Sequence, residues 1–362
     1  MRKKNTKSNR KKQFKVAALF AGCGGLDLGF RNAGFDIVWA NEYDKTIWET
    51  YEYNHPHTEL SKKSILDVKS DEIPSVDGVI GGPPCQSWSL AGAMRGINDP
   101  RGKLFYEYIR ILKDKKPLFF LAENVAGILS SAHIDSFHNI LKGFEDMGYK
   151  TAYAMLDAKH YGIPQDRKRV FIIGYSKDIG KVFKFPEPTH TNGNKAPEEL
   201  FSEKMLPIKS LKEAIGDLPN AVPAKVKNKP NNFDEVPVPN HEYMIGGFST
   251  IYMSRNRKRE WDEPSFTIQA GGRHAPLHPS APKMKKIEKD WWEFNKRGEK
   301  LYRRMSVREC ARVQTFPDDF IFKYEGVADG YKMVGNAVPV NLATVLASQI
   351  KKDLMDYCKK IK

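Results

Sequence analysis

The feature that most limits what this chain can fold into is a run of short apolar stretches alternating with helical-period stretches from Phe14 to Gly174. Residues 14–20 (FKVAALF) read as a strand ended by AGCGG, after which LDLGFRNAG sets Leu26, Leu28, Phe30 and Ala33 at helical spacing, with Gly34 as a stop. Residues 35–40 (FDIVWA) form a second strand ending in Asn41-Glu42, and Asp44 can cap a helix carrying Ile47, Trp48 and Tyr51. The period then repeats, with strands at 76–80, 118–122, 151–156 and 170–174 and helices at 104–112 and 137–147. This alternation predicts an α/β fold, a doubly wound and mostly parallel sheet with helices on both faces.

Past Tyr175 the character changes. Prolines at 186, 188, 219, 223, 230, 237 and 239 stand among Asn and Lys without long periodic runs, which predicts a second, smaller and loop-rich domain. PSFTIQA, around Ile268, reads as a single strand after the basic loop SRNRKR. SVRE at Ser306 predicts a capped helix, and residues 340–355 form a terminal amphipathic one.

The formal charge of +15 favours a polyanionic partner, because Lys and Arg gain most where they neutralise phosphates and release counterions. Residues 1–12 (MRKKNTKSNRKK) read as a basic, disordered tail that adds nonspecific affinity for nucleic acid. Cys23, Cys85, Cys310 and Cys358 are far apart and show neither a disulfide framework nor metal-ligand spacing, so a reducing compartment and no metal are expected. No stretch approaches the roughly 18 apolar residues that span a bilayer, and no membrane partner is expected.

Several residues stand where strands end. In GGPPCQSWS two fixed proline φ angles precede Cys85 and present its thiol, although a structural cysteine buried in a tight turn would carry the same residues. Gly22, Gly24 and Gly25 occupy the first strand-to-helix turn, where a parallel sheet brings ligands against backbone amides. Glu42 ends the next strand, placed to accept from ribose hydroxyls, and Tyr43 offers a flat face for an adenine. Together they indicate an adenosyl cofactor, either a nicotinamide dinucleotide or S-adenosylmethionine. Glu123 ends another apolar strand, at the same sheet edge as Cys85, where half-burial raises a carboxyl pKa. Arg167 and Arg169 are two residues apart, so on extended chain they point to one side, suited to a phosphate or a carbonyl oxygen.

These motifs, FAGCGGLDLGF, NEYD, GGPPCQSWS, ENV, QDRKRVFIIG, RECARVQTFPDDF and GNAVPV, resemble in content and order those of the DNA (cytosine-5) methyltransferases of prokaryotic restriction-modification systems, over nearly the whole chain. The resemblance implies methyl transfer from S-adenosylmethionine to C5 of a flipped-out cytosine in a short duplex site. Cys85 matches the nucleophile that adds to C6, Glu123 the acid at N3, and Arg169 the contact to O2, with Arg167 supporting it or touching phosphate. Phe20, Gly22, Gly24, Gly25, Glu42, Tyr43, Ile65, Pro84 and Asn336 match the cofactor site. Ser64 replaces an acid common in the family, so either Ser64 or Asp67 is left to meet the adenine amino group. Gln86, Ser89 and Arg101 belong to the loop that resembles the family's DNA-closing loop.

The resemblance also divides the chain. Residues 13–185, completed by 333–362, correspond to the catalytic and cofactor-binding domain, and 186–332 to target recognition. Arg255, Arg257 and Arg273 are the candidate base readers, since arginine bidentate to guanine is the commonest specific contact. SRNR, FTIQA and LHP with APKM are most similar to the GGCC-modifying enzymes. The implied setting is a cytoplasmic monomer acting on double-stranded DNA and protecting it from a cognate restriction endonuclease. Two rivals share the fold, a transfer-RNA methyltransferase and a non-catalytic DNA-binding regulator. The first carries a Cys-Phe-Thr element absent here, and the second would lack a catalytic residue.

Overall fold

Alternating burial explains the central strands. In β1 (Lys15–Leu19), Val16 and Ala18 are buried on one face of the sheet and Ala17 and Leu19 on the other. In β5 (Phe119–Val125), Phe119 and Leu121 oppose Phe120 and Ala122 in the same way. Both faces are covered, so these strands carry unbroken apolar sequence.

The computed structural model describes residues 13–84, 100–192 and 205–361. The remaining strands of the sheet are β2 (Asp36–Asn41), β3 (Glu59–Ser61), β4 (Gly78–Gly81), β6 (Tyr149–Asp157) and β7 (Lys168–Ser176). Their order is β3-β2-β1-β4-β5-β7-β6, parallel from β3 to β5, with β7 antiparallel to both β5 and β6. The mostly parallel α/β fold expected from the sequence is what forms. From β1 the chain moves outward to β2 and β3 and then returns to β4 on the other side of β1. The ends of β1 and β4 therefore flank a topological switch point, where such sheets bind ligands.

One face is covered by α1 (Gly25–Asn32), α2 (Trp48–Asn54) and the final helix, and the other by α3 (Pro100–Lys115) and α4 (Ile134–Asp146). Beyond the sheet come the short helices α5 (Leu211–Ile215) and α6 (Thr250–Met253), then α7 (Val307–Val313), α8 (Val327–Asn336) and α9 (Val340–Lys360). α9 returns to α1 so closely that a Cβ on Gly29 would lie 2.3 Å from the Ala343 methyl. An 18-residue window within Val327–Lys360 is as apolar as a membrane span, but 67% of it is buried inside the fold, with Leu342, Leu346, Ile350 and Leu354 in the main core.

Two smaller clusters organise the rest. Tyr252, Leu277, Ala281, Met284 and Tyr302 form a satellite core beside the antiparallel pair Lys285–Glu288 and Trp291–Glu293. A second cluster joins α7 and α8 to Leu28 and Ile47 beside the sheet. The SVRE cap forms as expected: Ser306 Oγ accepts from the Glu309 amide at 3.0 Å, and the Glu309 carboxylate from the Ser306 amide at 2.7 Å. PSFTIQA is not the strand expected. It makes only an isolated bridge between Ser265 and Gln165, because side chains take its polar groups: Gln165 Oε1 accepts from the Ile268 amide, and Arg167 donates to the Ile268 carbonyl.

Candidate active site

At the switch point AGCGG leaves β1 and GGPP leaves β4, and the backbone there is specialised. Phe20 and Gly22 have positive φ (54° and 57°), and Gly24, at φ 85°, caps α1. A Cβ on Gly81 would lie 2.3 Å from the Leu19 carbonyl oxygen, so β4 hugs β1 just before the proline turn. Between these turns lies a cavity of about 390 Å³.

The cavity gathers residues from six separate stretches of sequence. Phe20, Gly22 and Gly25 line it from the first turn, Glu42 and Asp44 from the end of β2, and Pro83 and Pro84 from the end of β4. Glu123 and Asn124 come from β5, Arg169 from β7, and Gly335 and Asn336 from the end of α8. Cys85, Gln86 and Ser89 lie outside the described residues. Arg101 is in the first turn of α3.

Glu123 and Arg169 form an ion pair, Nε to Oε1 at 3.0 Å, both largely buried. Burial raises the Glu123 pKa, and the nearby Arg169 and Arg167 only partly oppose it. Asn124 supports the turn: its Nδ2 donates to the Pro83 carbonyl at 3.0 Å, two residues before Cys85. Glu42 accepts from the amides of Gly22 (2.9 Å) and Asp44 (2.7 Å), tying the first two turns together, while burial raises its pKa. Asp27, in the first turn of α1, also lines the cavity. Its Oδ2 accepts from the Tyr51 hydroxyl at 2.5 Å, its Oδ1 has no partner, and burial pushes its pKa to about 7.

The donor set discriminates between the two adenosyl cofactors. Among the described residues, Asp27, Glu42, Asp44 and Glu123 line the cavity with Arg169 as the lining cation; Arg169 pairs with Glu123, and Lys332 pairs with Asp44. Two phosphates of a dinucleotide would meet acids there, whereas the sulfonium and ammonium of S-adenosylmethionine are complementary to them. The residues therefore fit S-adenosylmethionine.

Other expected site residues lie elsewhere. Tyr43 is 72% exposed and Ile65 2% exposed, and neither lines the cavity. Gly24 also lies outside the lining, where a Cβ would strike the His55 ring at 2.1 Å, so the turn itself requires its glycine. Ser64 Oγ accepts from the Leu66 amide at 3.3 Å, and neither it nor Asp67 reaches the lining. Arg167 corrects the expectation of a phosphate contact. It is 1% exposed, with its guanidinium donating to the carbonyls of Ile268, Gly335 and Ala337. Arg257 corrects another: at 5% exposure it donates to the Tyr252 and Ile251 carbonyls and covers the Tyr252 ring, so it is not free to read a base. Arg255 and Arg273 are exposed. Asn124 and Asp27 carry no signal of their own in the sequence, although they stand inside the motifs ENV and FAGCGGLDLGF.

Residues 14–352 match the family model for C-5 cytosine-specific DNA methylases. The type II methyltransferase M.MthTI of Methanothermobacter thermautotrophicus is 57% identical over 339 residues, covering 94% of this chain and 97% of its own. M.FnuDI of Fusobacterium nucleatum is 56% identical over 344 residues, covering 94% and 95%. A prophage-encoded DNA modification methyltransferase of E. coli has the same fold, with a TM-score of 0.68 at 23% identity over 95% of this chain and all of that one. A match spanning almost the whole chain, together with relatives above half identity, places this protein in the C-5 cytosine-specific DNA methylase family, as a type II cytosine-5 DNA methyltransferase.

Proposed function

We propose that the cavity holds S-adenosylmethionine beside one cytosine turned out of a duplex, and that Cys85 opens the reaction by bonding to C6 of that base. The observation that carries this reading is the buried Glu123–Arg169 pair on the wall of an acidic cavity, which Pro84 also lines immediately before Cys85. As the Cys85 thiolate bonds to C6, electron density moves toward N3. Glu123, whose pKa burial raises against the opposing pull of Arg169, shares a proton with N3 there. Arg169 donates to the cytosine O2 and keeps the ring in register with Glu123. S-adenosylmethionine, when bound, supplies the electrophilic methyl group that the resulting C5 carbanion equivalent takes up. Loss of the C5 proton to a base, cleavage of the C6–sulfur bond and return of the N3 proton to Glu123 then restore the ring and release Cys85. Stacking hides C5 and C6 within a duplex, so the base must be extruded first.

Phe20, Gly22, Gly25, Glu42, Pro84 and Asn336 form the cofactor wall in this reading, supported by their shared lining. Residues 13–185 with 333–362 serve as the catalytic part and 186–332 as target recognition, supported by the separate satellite core in the latter. Gln86, Ser89 and Arg101 contact DNA, and Arg255 and Arg273, both exposed, read bases. The target is a short palindromic site, GGCC, and its modification protects the host from a cognate restriction enzyme.

Transfer of labelled methyl from S-adenosylmethionine to duplex DNA and to RNA, with Cys85→Ala alongside, tests the chemistry. Label should enter DNA alone and vanish with the mutant; label on RNA alone, or an unaffected mutant, would overturn it. Bisulfite sequencing of plasmid from an expressing host should show GGCC protected, and unmodified GGCC sites would sink that assignment.

A further inference from the structure

The last turn of α8 carries Asn336 into the cofactor wall, and the carbonyls there lack partners within the helix. Two buried side chains supply them. Arg167 Nη2 donates to the carbonyls on either side of Asn336, Gly335 at 3.0 Å and Ala337 at 2.9 Å, while Nη1 donates to Ile268 at 3.1 Å. Gln314 Nε2 donates to Val334 at 2.9 Å and again to Ala337 at 3.2 Å. Gln165 connects the two sets, donating to Gln314 Oε1 at 2.9 Å while accepting from the Ile268 amide.

We infer that Arg167 and Gln314 are positioning residues that hold the Asn336 turn against the recognition segment, and so set the width of the methyl-donor cavity. This rests on the reading of that cavity as the S-adenosylmethionine site. Burial leaves no water to replace either donor, so losing Arg167 strands the Gly335 and Ile268 carbonyls, whereas losing Gln314 leaves the Val334 and Ala337 carbonyls with one donor each, the Ala337 amide and Arg167. The turn cannot relax outward. A Cβ on Gly335 would already lie 2.3 Å from the Gln269 carbonyl group, so the backbones of α8 and the recognition segment are in contact. A released turn has only the cavity to move into. A planar guanidinium can serve three carbonyls held in fixed directions, whereas an ammonium on a flexible stem keeps the charge without that fork.

The test is calorimetric titration of the full chain with S-adenosylmethionine, for the wild type, Arg167→Lys and Gln314→Met. The same proteins are titrated with duplex DNA at one fixed salt concentration without cofactor, and their thermal unfolding is recorded as a control. Cofactor affinity should fall about tenfold in Arg167→Lys and about threefold in Gln314→Met, the scale of removing one or two hydrogen bonds. Duplex affinity should stay within about twofold in both, since neither side chain reaches the surface. Unchanged cofactor affinity in a folded variant, or equal loss of cofactor and DNA affinity, would overturn the inference. If Arg167→Lys does not fold, Gln314→Met decides by the same criteria. Failure of the wild type to bind S-adenosylmethionine would remove the cofactor reading itself, and the inference with it.

Discussion

Asp27 shows how one residue can report on a buried site. It is an acid in the first turn of α1, held by Tyr51, and burial rather than any neighbouring charge pushes its pKa from 3.8 to about 7. The folded form therefore binds this proton more tightly than the unfolded chain does. Its stabilising effect is complete below the unfolded pKa of 3.8 and is lost as pH rises through about 7. Across that window stability should fall with pH, by at most about 1.4 kcal/mol per pH unit from this one group. Asp27→Asn keeps an acceptor for the Tyr51 hydroxyl and removes the titration, so denaturation midpoints measured across the window should show a flatter profile. An unchanged profile would mean that the carboxyl is not buried as described. Glu123 is under the same pressure from burial, but Arg169 at 3.0 Å opposes it, which Asp27 lacks.

At the level of elements, close backbone approaches hold segments together where side-chain burial cannot. The end of α8 rests on residues 269 and 270, and a methyl on Gly335 would lie 2.3 Å from the Gln269 carbonyl group and 2.4 Å from the Ala270 nitrogen. All three neighbouring atoms are backbone and cannot rotate away. Gly335→Ala should therefore cost about 1–3 kcal/mol in chemical denaturation. Gly143→Ala, within α4 and with open space around its Cβ, should instead stabilise by roughly 0.5–1 kcal/mol on helix propensity. Equal effects from the two substitutions would contradict this packing. The same region explains the misread strand at PSFTIQA. Its β-branched and aromatic residues satisfy the strand pattern, but Gln165 and Arg167, a hundred residues away, occupy the hydrogen bonds a ladder would need.

Over the whole molecule the net charge of +15 is the dominant long-range property, and seven of its basic residues lie in 1–12, where there is no acid. A chain beginning at residue 13 should bind duplex DNA more weakly at low salt. The slope of log affinity against log salt should shrink by about 0.9 for each phosphate that is no longer neutralised. Preference for the target over unrelated DNA should not decrease, because binding to phosphate carries no sequence information. An unchanged salt slope would show that the tail does not touch DNA.

The sequence by itself determined the layered α/β architecture, since period-two and period-3.6 burial are local consequences of backbone geometry and could be read strand by strand. It also marked strand ends that the cavity gathers, because the AGCGG turn after β1, the GGPP turn after β4, and an acid closing each of the apolar runs FDIVWAN and LFFLA stand out within a few residues. What it left open was which side chains face the cavity. Arg167 and Arg169 share a motif, yet one turns inward to three carbonyls and the other meets Glu123 at the cavity wall. Arg255 and Arg257 likewise divide into an exposed and a buried guanidinium. Only tertiary structure decides such cases, because the fate of a long polar side chain depends on which unpaired backbone groups the fold brings within its reach, and those come from segments far away in the chain.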